Sequence, residues 1–306
     1  MRVSVVLCEH TLDRYADLRE AAESVFAQSY DDVELVLVSD GNEAVYRKMV
    51  DDWGDRDDTV IHCNDENVGL LRSRNTGAEL ASGELVAFLD DDAVADPEWL
   101  ERLVDAYERH DVPAVGGPMT PAWVAGKPEF LPAEFYWLVG VTHKGFAEGE
   151  GEVRNTFGSN IAFERAVFLD LGGFQENIGG RQGDKNLQGG ETELCARMKT
   201  RYGHGVYFVP DAEVAHKVFD YRTDPRWLCN RAFWQGYSKR GMEKFVPGSG
   251  GEEGDFLGKL LFSFVPERLA GLVRSPSLAR AEQLVFLLLL TGLVGLGYLY
   301  GVVKWR

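Results

Sequence analysis

Short apolar runs alternate with amphipathic segments through the first third of the chain. The apolar runs are Val3–Cys8, Val33–Gly41, Thr59–Cys63 and Val86–Leu89. Between the first two runs, apolar residues recur at the three- and four-residue spacing of a helix, at Leu18, Ala21, Ala22, Val25 and Phe26. Strands that alternate with helices are typical of an α/β protein with a doubly wound, mostly parallel sheet. We therefore predict this fold class, with a mixed sheet.

The pattern changes after residue 117. Residues 118–155 are rich in Pro, Gly and aromatic residues, which favours an irregular wall around a binding site. A glycine cluster between Gly172 and Gly190 predicts a loop over a bound substrate. We predict one catalytic domain over 1–247, with a nucleotide-binding half (1–117) and an acceptor-binding half (118–247). Residues 248–255 are a Gly/Glu-rich linker.

The C-terminal tail, 256–306, has a membrane-associating composition. Phe256–Val273 is apolar with interspersed charges, as in an interfacial amphipathic helix. Leu284–Val303 contains no charged residue and is long enough to cross the hydrocarbon core of a bilayer. The alternative is a buried apolar helix that mediates oligomerisation. The unbroken uncharged run favours the membrane, and it leaves open whether the tail spans the bilayer or re-enters it.

Charge is unevenly distributed along the chain. The formal net charge is −17, yet residues 256–306 carry six Lys/Arg against two Asp/Glu. Such an acidic catalytic part argues against a nucleic-acid partner. It is typical of proteins that stay hydrated at high salt, where screening weakens self-repulsion, and we infer a halophilic source. The first apolar run is too short for a signal-peptide core, so we expect the catalytic domain on the cytoplasmic side of the membrane.

Carboxylates follow two of the predicted strands. Asp90, Asp91 and Asp92 come directly after Val86–Leu89, and Asp40 stands with Gly41 at the end of the second run. In open α/β sheets, ligands bind at the carboxyl ends of the strands. Asp90 and Asp92 are two residues apart, so both can reach one divalent cation around a turn. The alternative is a solvated acidic loop, but the buried strand that leads into the triplet favours a metal site.

Several motifs occur in one order. They are Ser39-Asp-Gly41, the stretch with Asn67, Gly69, Arg72 and Asn75, then Asp90-Asp-Asp92, Gly158-Ser-Asn160, Gly189-Gly-Glu-Thr-Glu-Leu-Cys-Ala-Arg197, and His216 after Pro-Asp-Ala-Glu-Val-Ala. Together they resemble the family 2 glycosyltransferases from Ser4 to about Arg240. The resemblance implies a GT-A fold and a nucleotide-sugar donor of the UDP or GDP type.

The resemblance also implies where the donor binds. Asp40 stands where the family contacts the base or ribose, and Asp90 and Asp91 lie on the donor side of the acidic motif. Arg72 is assigned to the donor's base or phosphates, with Arg74 as the other candidate. Both arginines have the alternative of a salt bridge on the helix surface.

The family's acidic motif binds Mn²⁺ or Mg²⁺ on the donor diphosphate, so Asp92 is the expected metal ligand. His216, at a strand end, is expected to complete the coordination. The segment Gly158–Asn160 resembles the family's acceptor side, with a plain strand-edge role as the alternative.

A catalytic base is expected at Glu191, because this position aligns with the base of the family's Glu-Asp-x-Asp-Leu-x-x-Arg motif. Gly190 stands where the first acid of that motif usually lies, which keeps Glu193 open as the base. Both glutamates have an alternative role as first-turn acids that complement the helix dipole.

The expected activity is inverting transfer of one sugar, because no Gln-x-x-Arg-Trp motif of the processive synthases follows His216. Acidic composition and an apolar tail are similar to haloarchaeal transferases that build N-glycans on dolichol phosphate. This analogy suggests a lipid-linked acceptor at the membrane surface and a hexuronic acid as the sugar. Alternatives are a non-lipid polysaccharide acceptor, a non-catalytic membrane scaffold, and a nucleotidyltransferase. The last would need a glycine-rich basic loop, which residues 9–14 lack.

Overall fold

The computed structural model describes residues 1–176, 178, 181–182, 185–246 and 251–305. The chain forms two compact units. Unit 1 comprises Met1–Thr120, Gly149–Gly179 and Gly190–Lys217, and unit 2 comprises Pro121–Glu148, Gly180–Gly189 and Val218–Arg306.

The strands follow in chain order. They are β1 (Val3–Glu9), β2 (Val33–Ser39), β3 (Thr59–Cys63), β4 (Leu85–Phe88), β5 (Ala93–Ala95), β6 (Ala114–Gly116), β7 (Met119–Trp123), β8 (Gly151–Val153), β9 (Ile161–Glu164), β10 (Arg181–Gln182), β11 (Lys185–Asn186), β12 (Val206–Phe208) and β13 (Val214–Val218). Eight of them form one sheet in the order β3-β2-β1-β4-β9-β6-β12-β8. The first four strands pair in parallel, whereas β9 pairs antiparallel with β4 and β6. The predicted α/β class with a mixed, mostly parallel sheet is confirmed.

The helices are α1 (Tyr15–Phe26), α2 (Glu43–Trp53), α3 (Leu70–Leu80), α4 (Trp99–His110), α5 (Arg165–Asp170), α6 (Gly190–Tyr202), α7 (Pro225–Phe245), α8 (Gly251–Lys259), α9 (Val265–Arg274) and α10 (Leu278–Lys304). Local signals explain several of them. The side chain of Asn42 caps α2 by accepting hydrogen bonds from the backbone N–H groups of Ala44 and Val45. The predicted apolar face of α1 is buried, apart from Phe26 at its end, which is partly buried.

The main sheet of unit 1 is covered on both faces, which explains its continuous apolar strands. Leu7 and Leu37 belong to one core with residues of α1, α2 and α4. Val6 and Val38 belong to a second core with residues of α3 and α6. The strands therefore hold their carboxyl ends in a fixed position between two packed layers.

In unit 2, α7 and α10 pack on a short 3₁₀ segment, Ala133–Val139. By length and composition, α10 is the single helix in the described part of the chain that is apolar enough to cross a membrane. The tail therefore belongs to the same compact unit as 121–148 and 218–246, which differs from our sequence-based division at 117 and 247. The reason is that α10 buries Leu287 and Leu290 in a core shared with those segments.

Two predicted segments lie partly outside the described residues. The glycine-rich loop over 172–190 includes positions 177, 179–180 and 183–184, and the linker over 248–255 includes positions 248–250. The last part of the predicted linker is helical, because α8 begins at Gly251.

Candidate active site

The acidic triplet lies directly after β4, in unit 1. The backbone N–H of Asp90 donates to Ser159 Oγ at 2.8 Å, which fixes the start of the triplet. Arg74 on α3 is only 2% exposed, and its Nη2 donates to the Asp90 carboxylate. Its Nη1 donates to Glu191 Oε1 at 3.2 Å, from the first turn of α6. One buried guanidinium thus holds Glu191 beside the triplet.

Arg14 balances the other two carboxylates of the triplet. It lies between β1 and α1, where its Nε is 3.1 Å from Asp91 Oδ2 and its Nη2 is 2.7 Å from Asp92 Oδ2. Burial, followed by the neighbouring Asp92 carboxylate, nevertheless raises the pKa of Asp91 to about 8. The ionised form of Asp91 is therefore disfavoured in this structure, and a further cation at this position would stabilise it.

His216 faces Asp92 from β13. This strand pairs antiparallel with β5, so His216 lies opposite Ala93. The imidazole is 4% exposed, and its Nε2 is 3.4 Å from Asp92 Oδ1. The backbone N–H of Lys217 donates to the Asp92 carbonyl oxygen at 2.8 Å, which locks the two segments together. Sheet pairing therefore brings the two predicted metal ligands into one place.

A carboxylate oxygen and an imidazole nitrogen are suitable ligands for Mn²⁺. Among the described residues, no group of three or more His, Cys, Asp or Glu side chains could hold a metal ion alone. Asp92 and His216 thus fit a cation whose remaining ligands come from a bound diphosphate.

The Asp40 side chain is buried and hydrogen-bonded within the fold. Its Oδ1 accepts hydrogen bonds from Asn64 Nδ2 at 3.0 Å and the Val68 N–H at 2.8 Å, and its Oδ2 accepts one from the Gly69 N–H at 2.9 Å. The carboxylate therefore fastens the loop that precedes α3. Gly41 follows with φ of 70°, and a Cβ there would overlap the backbone of that loop. Contact of Asp40 with the donor's base or ribose stays a prediction.

Arg72 and Arg74 lie on different sides of α3. The Arg72 side chain is 54% exposed, and its Nε is 3.6 Å from Glu176 Oε1. It therefore forms the surface ion pair that was its alternative role, and the geometry favours Arg74 over our assignment of Arg72. The physical reason is that residues two apart on a helix point in different directions.

Glu191 and Glu193 are also two residues apart on one helix, α6, and they point in different directions. Glu193 is 6% exposed and accepts hydrogen bonds from Arg197 Nε at 2.6 Å and Nη2 at 2.8 Å. Arg197 also donates to the carbonyl oxygens of Leu171 and Gly173, so this pair braces the end of α5 against α6. Glu191 alone of the two contacts Arg74 at the triplet.

In the Gly158–Asn160 segment, Gly158 lies at the candidate active site, whereas Asn160 has a structural role. A Cβ at Gly158 would overlap Glu191 Oε1 and crowd Arg74 Nη1, so the backbone of Gly158 lines the candidate base. Asn160 instead makes four hydrogen bonds inside the fold: its Oδ1 accepts from Trp99 Nε1 and the Gly117 N–H, and its Nδ2 donates to two backbone carbonyl groups. The strand-edge alternative therefore describes Asn160 well.

Sequence reasoning assigned no role to two residues of this site, Glu9 and Arg14. Glu9, at the end of β1, is 3% exposed, and its Oε1 accepts hydrogen bonds from the N–H groups of His10 and Thr11 at 2.7 and 2.9 Å. It shapes the loop that carries Arg14. A signal was available for both, because polar residues just after a buried parallel strand lie at the ligand-binding edge of the sheet.

This fold and site define a transferase of the GT-A type. A family model described as glycosyl transferase family 2 matches residues 5–172, and the chain belongs to that family. The chain is also 50% identical, over 99% of its length and 96% of the relative's, to a glucosyl-dolichyl phosphate glucuronosyltransferase of Haloferax volcanii. The predicted family is thus confirmed.

Solved structures support the fold. The mannosyltransferase PcManGT from Pyrobaculum calidifontis, in complex with GDP-Man and Mn²⁺, has a TM-score of 0.60 at 17% identity, covering 100% of this chain and 88% of that one. S. aureus TarS 1–349 in complex with UDP-GlcNAc has a TM-score of 0.56 at 15% identity, covering 94% and 79%. At these identities, the likeness shows a shared fold.

Proposed function

We propose that this chain transfers one hexuronic acid, with inversion, from a nucleotide-sugar donor to a lipid-linked acceptor of the dolichol-phosphate type. The identity of donor sugar and acceptor is supported by the haloarchaeal relative, whose name specifies a glucuronosyl transfer to glucosyl-dolichyl phosphate. The observation that carries the chemistry is the placement of Glu191, held by Arg74 beside Asp90.

In this proposal, Glu191 accepts the proton of the acceptor hydroxyl as that oxygen attacks the anomeric carbon. The bond from the anomeric carbon to the diphosphate oxygen breaks, and a nucleoside diphosphate departs from the opposite side. Asp92 and His216 would hold Mn²⁺ or Mg²⁺, which supplies positive charge to the departing diphosphate. Arg14 keeps the Asp91 and Asp92 carboxylates in place, and Arg74 orients Glu191.

The exposed apolar residues of unit 2 support membrane association. Phe262, Val273 and Leu278 are 85%, 83% and 76% exposed. Apolar side chains at such exposure favour a membrane surface, where the lipid acceptor also resides. We propose that the catalytic unit works on the cytoplasmic side, where nucleotide sugars are available.

A donor and acceptor panel tests the function directly. Membranes that contain the full chain would be incubated in molar KCl with Mn²⁺, labelled nucleotide sugars and glucosyl-dolichyl phosphate. We expect label to enter the lipid fraction from UDP-glucuronic acid. An Asp92→Ala variant should lose this activity, whereas Asp55→Ala, which removes an exposed carboxylate, should keep it. Metal-dependent donor binding without transfer to any lipid would contradict the proposal that the acceptor is lipid-linked. Absence of donor binding would favour a non-catalytic scaffold.

Gly158→Ala should lower the rate of transfer by about 100-fold, because the new methyl group displaces the Glu191 carboxylate from its position beside Arg74. Gly149→Ala is the matched control, since a Cβ at this exposed glycine meets no atom within 4 Å. Initial rates at saturating donor would be compared, with thermal unfolding as a check on folding. Equal rates for the two variants would show that Gly158 does not position the base.

A further inference from the structure

One face of α10 is exposed along the whole helix. From residue 285 onwards, the exposed apolar side chains are Val285, Leu288, Leu289, Leu296, Leu299, Tyr300 and Val303. Their spacing of three, four and seven residues places them in one stripe, which we call the apolar stripe. No charged side chain interrupts it before Lys304. The stripe therefore presents a continuous apolar surface from Val285 to Val303.

The opposite face of α10 is covered by α7, which belongs to the same unit. A Cβ at Gly236 would overlap the carbonyl oxygen of Val294, and a Cβ at Gly297 would overlap that of Phe233. The two backbones are therefore in direct contact, as in helix pairs that pack through small residues. Farther along, Gly301 lies against Arg240, so the contacts advance together and the helices run side by side in parallel.

Helix α7 is unsuited to a bilayer interior. Its 21 residues include five Lys/Arg and one Glu, and Glu243 accepts a hydrogen bond from Tyr298 Oη on α10 at 2.9 Å. If α10 crossed the bilayer, α7 would have to enter the hydrocarbon core beside it with these charges. Ionisable residues at that depth are costly, and the described contacts leave α7 no route away from α10.

The N-terminal end of α10 is fixed to unit 2 as well. Arg268 donates to both oxygens of the buried Glu134 carboxylate and to Gln283 Oε1 at the start of α10. Gln283 Nε2 in turn donates to the Glu129 carbonyl oxygen at 2.6 Å. The N-terminal end of α10 is therefore held within unit 2, and the stripe stays open to an external partner.

We infer that this partner is the surface of a lipid leaflet, and that α10 lies in the membrane plane without crossing it. The stripe enters the acyl region, while α7 and the rest of unit 2 stay on the aqueous side of the leaflet. Both ends of α10 therefore face the same compartment. Exposed basic residues lie before and after the stripe in the chain, at Arg274, Arg280 and Lys304, and they suit anionic headgroups. In a symmetric pair of chains, these like charges would face one another, which disfavours a second copy as the occupant.

This inference rests on the membrane association proposed above, but it does not depend on sugar transfer. Depth measurement with nitroxide labels tests it. Single cysteines would replace Val285, Leu289, Leu296 and Val303 in the full chain, with Cys63 and Cys229 changed to Ser because they are partly exposed. The labelled proteins would be bound to vesicles of anionic and neutral lipid.

We expect all four labels to report a similar, shallow immersion. A depth that is greatest at the middle of the helix and small at both ends would show a spanning helix and overturn the inference. Labels that avoid lipid but report short distances between chains would show that the stripe binds a second copy, which would also overturn it.

Vesicle binding provides a second measurement. Leu288→Glu with Leu296→Glu places two charges in the stripe and should weaken binding about tenfold or more. The matched control is Val50→Glu with Leu80→Glu, which adds the same charge at exposed apolar positions of unit 1. Both would be measured by vesicle sedimentation in molar KCl. Unchanged binding of the stripe variant would overturn the inference, whatever the outcome of the transfer assay.

Discussion

Replacing Glu191 by Gln is expected to slow sugar transfer by about 1,000-fold or more, because a general base contributes a factor of this order. Glutamine has the same shape and can still accept the hydrogen bond from Arg74 Nη1, so the site should remain assembled. It cannot accept the proton of the acceptor hydroxyl. Donor binding in the presence of Mn²⁺ should stay within a few-fold of the unmodified chain, as measured by calorimetry beside the initial rates.

Glu193→Gln is the matched control for this prediction. Glu193 is bound to Arg197 and lies away from the triplet, so this variant should retain transfer. It should instead lose about 1–3 kcal/mol of unfolding free energy, because a charged hydrogen-bonded pair at the α5–α6 contact is weakened. The opposite outcome, with transfer lost in Glu193→Gln and kept in Glu191→Gln, would assign the base to Glu193.

These two glutamates show how far the sequence defined the site. The motif located the first turn of α6 as the place of the base, but a spacing of two residues left the choice open. The structure separates them, because only packing fixes which side of α6 faces β4. The same limit applies to α3, where the pattern named Arg72 and Arg74 and the geometry favours Arg74. Sequence patterns locate a helix more reliably than they set its rotation.

The strands before the triplet were predictable for a physical reason. Their residues are buried on both faces, so their runs are apolar without alternation and end in polar residues at the binding edge. The antiparallel insertion of β9 between β4 and β6 was not predictable, because it depends on pairing between strands far apart in the chain.

Helix α7 was missed altogether. Gly236 and Gly241 lie within it, and glycines inside a segment normally argue against a helix. Here Gly236 lets the backbone of α10 approach closely. The same glycine that argues against a helix in the sequence is therefore needed for the packing of α7 on α10.

Arg74→Met is expected to destabilise the fold by about 3–5 kcal/mol, the usual effect of removing one partner from a buried ion pair. Arg74 is 2% exposed and joins Asp90 to Glu191, so its loss leaves two carboxylates near the other acids of the triplet without this cation. Transfer should fall as well, because Glu191 loses the group that orients it. Urea denaturation in KCl would measure the change in free energy.

Arg72→Met removes the same charge from the same helix at an exposed position. It should change the unfolding free energy by no more than about 0.5 kcal/mol, as is usual for surface substitutions. Raising the KCl concentration should abolish any effect of Arg72, whose ion pair with Glu176 is open to solvent. The effect of Arg74 should persist, because ions do not reach a buried pair. Similar losses in the two variants would contradict the assignment of Arg74 as the cation that assembles this site.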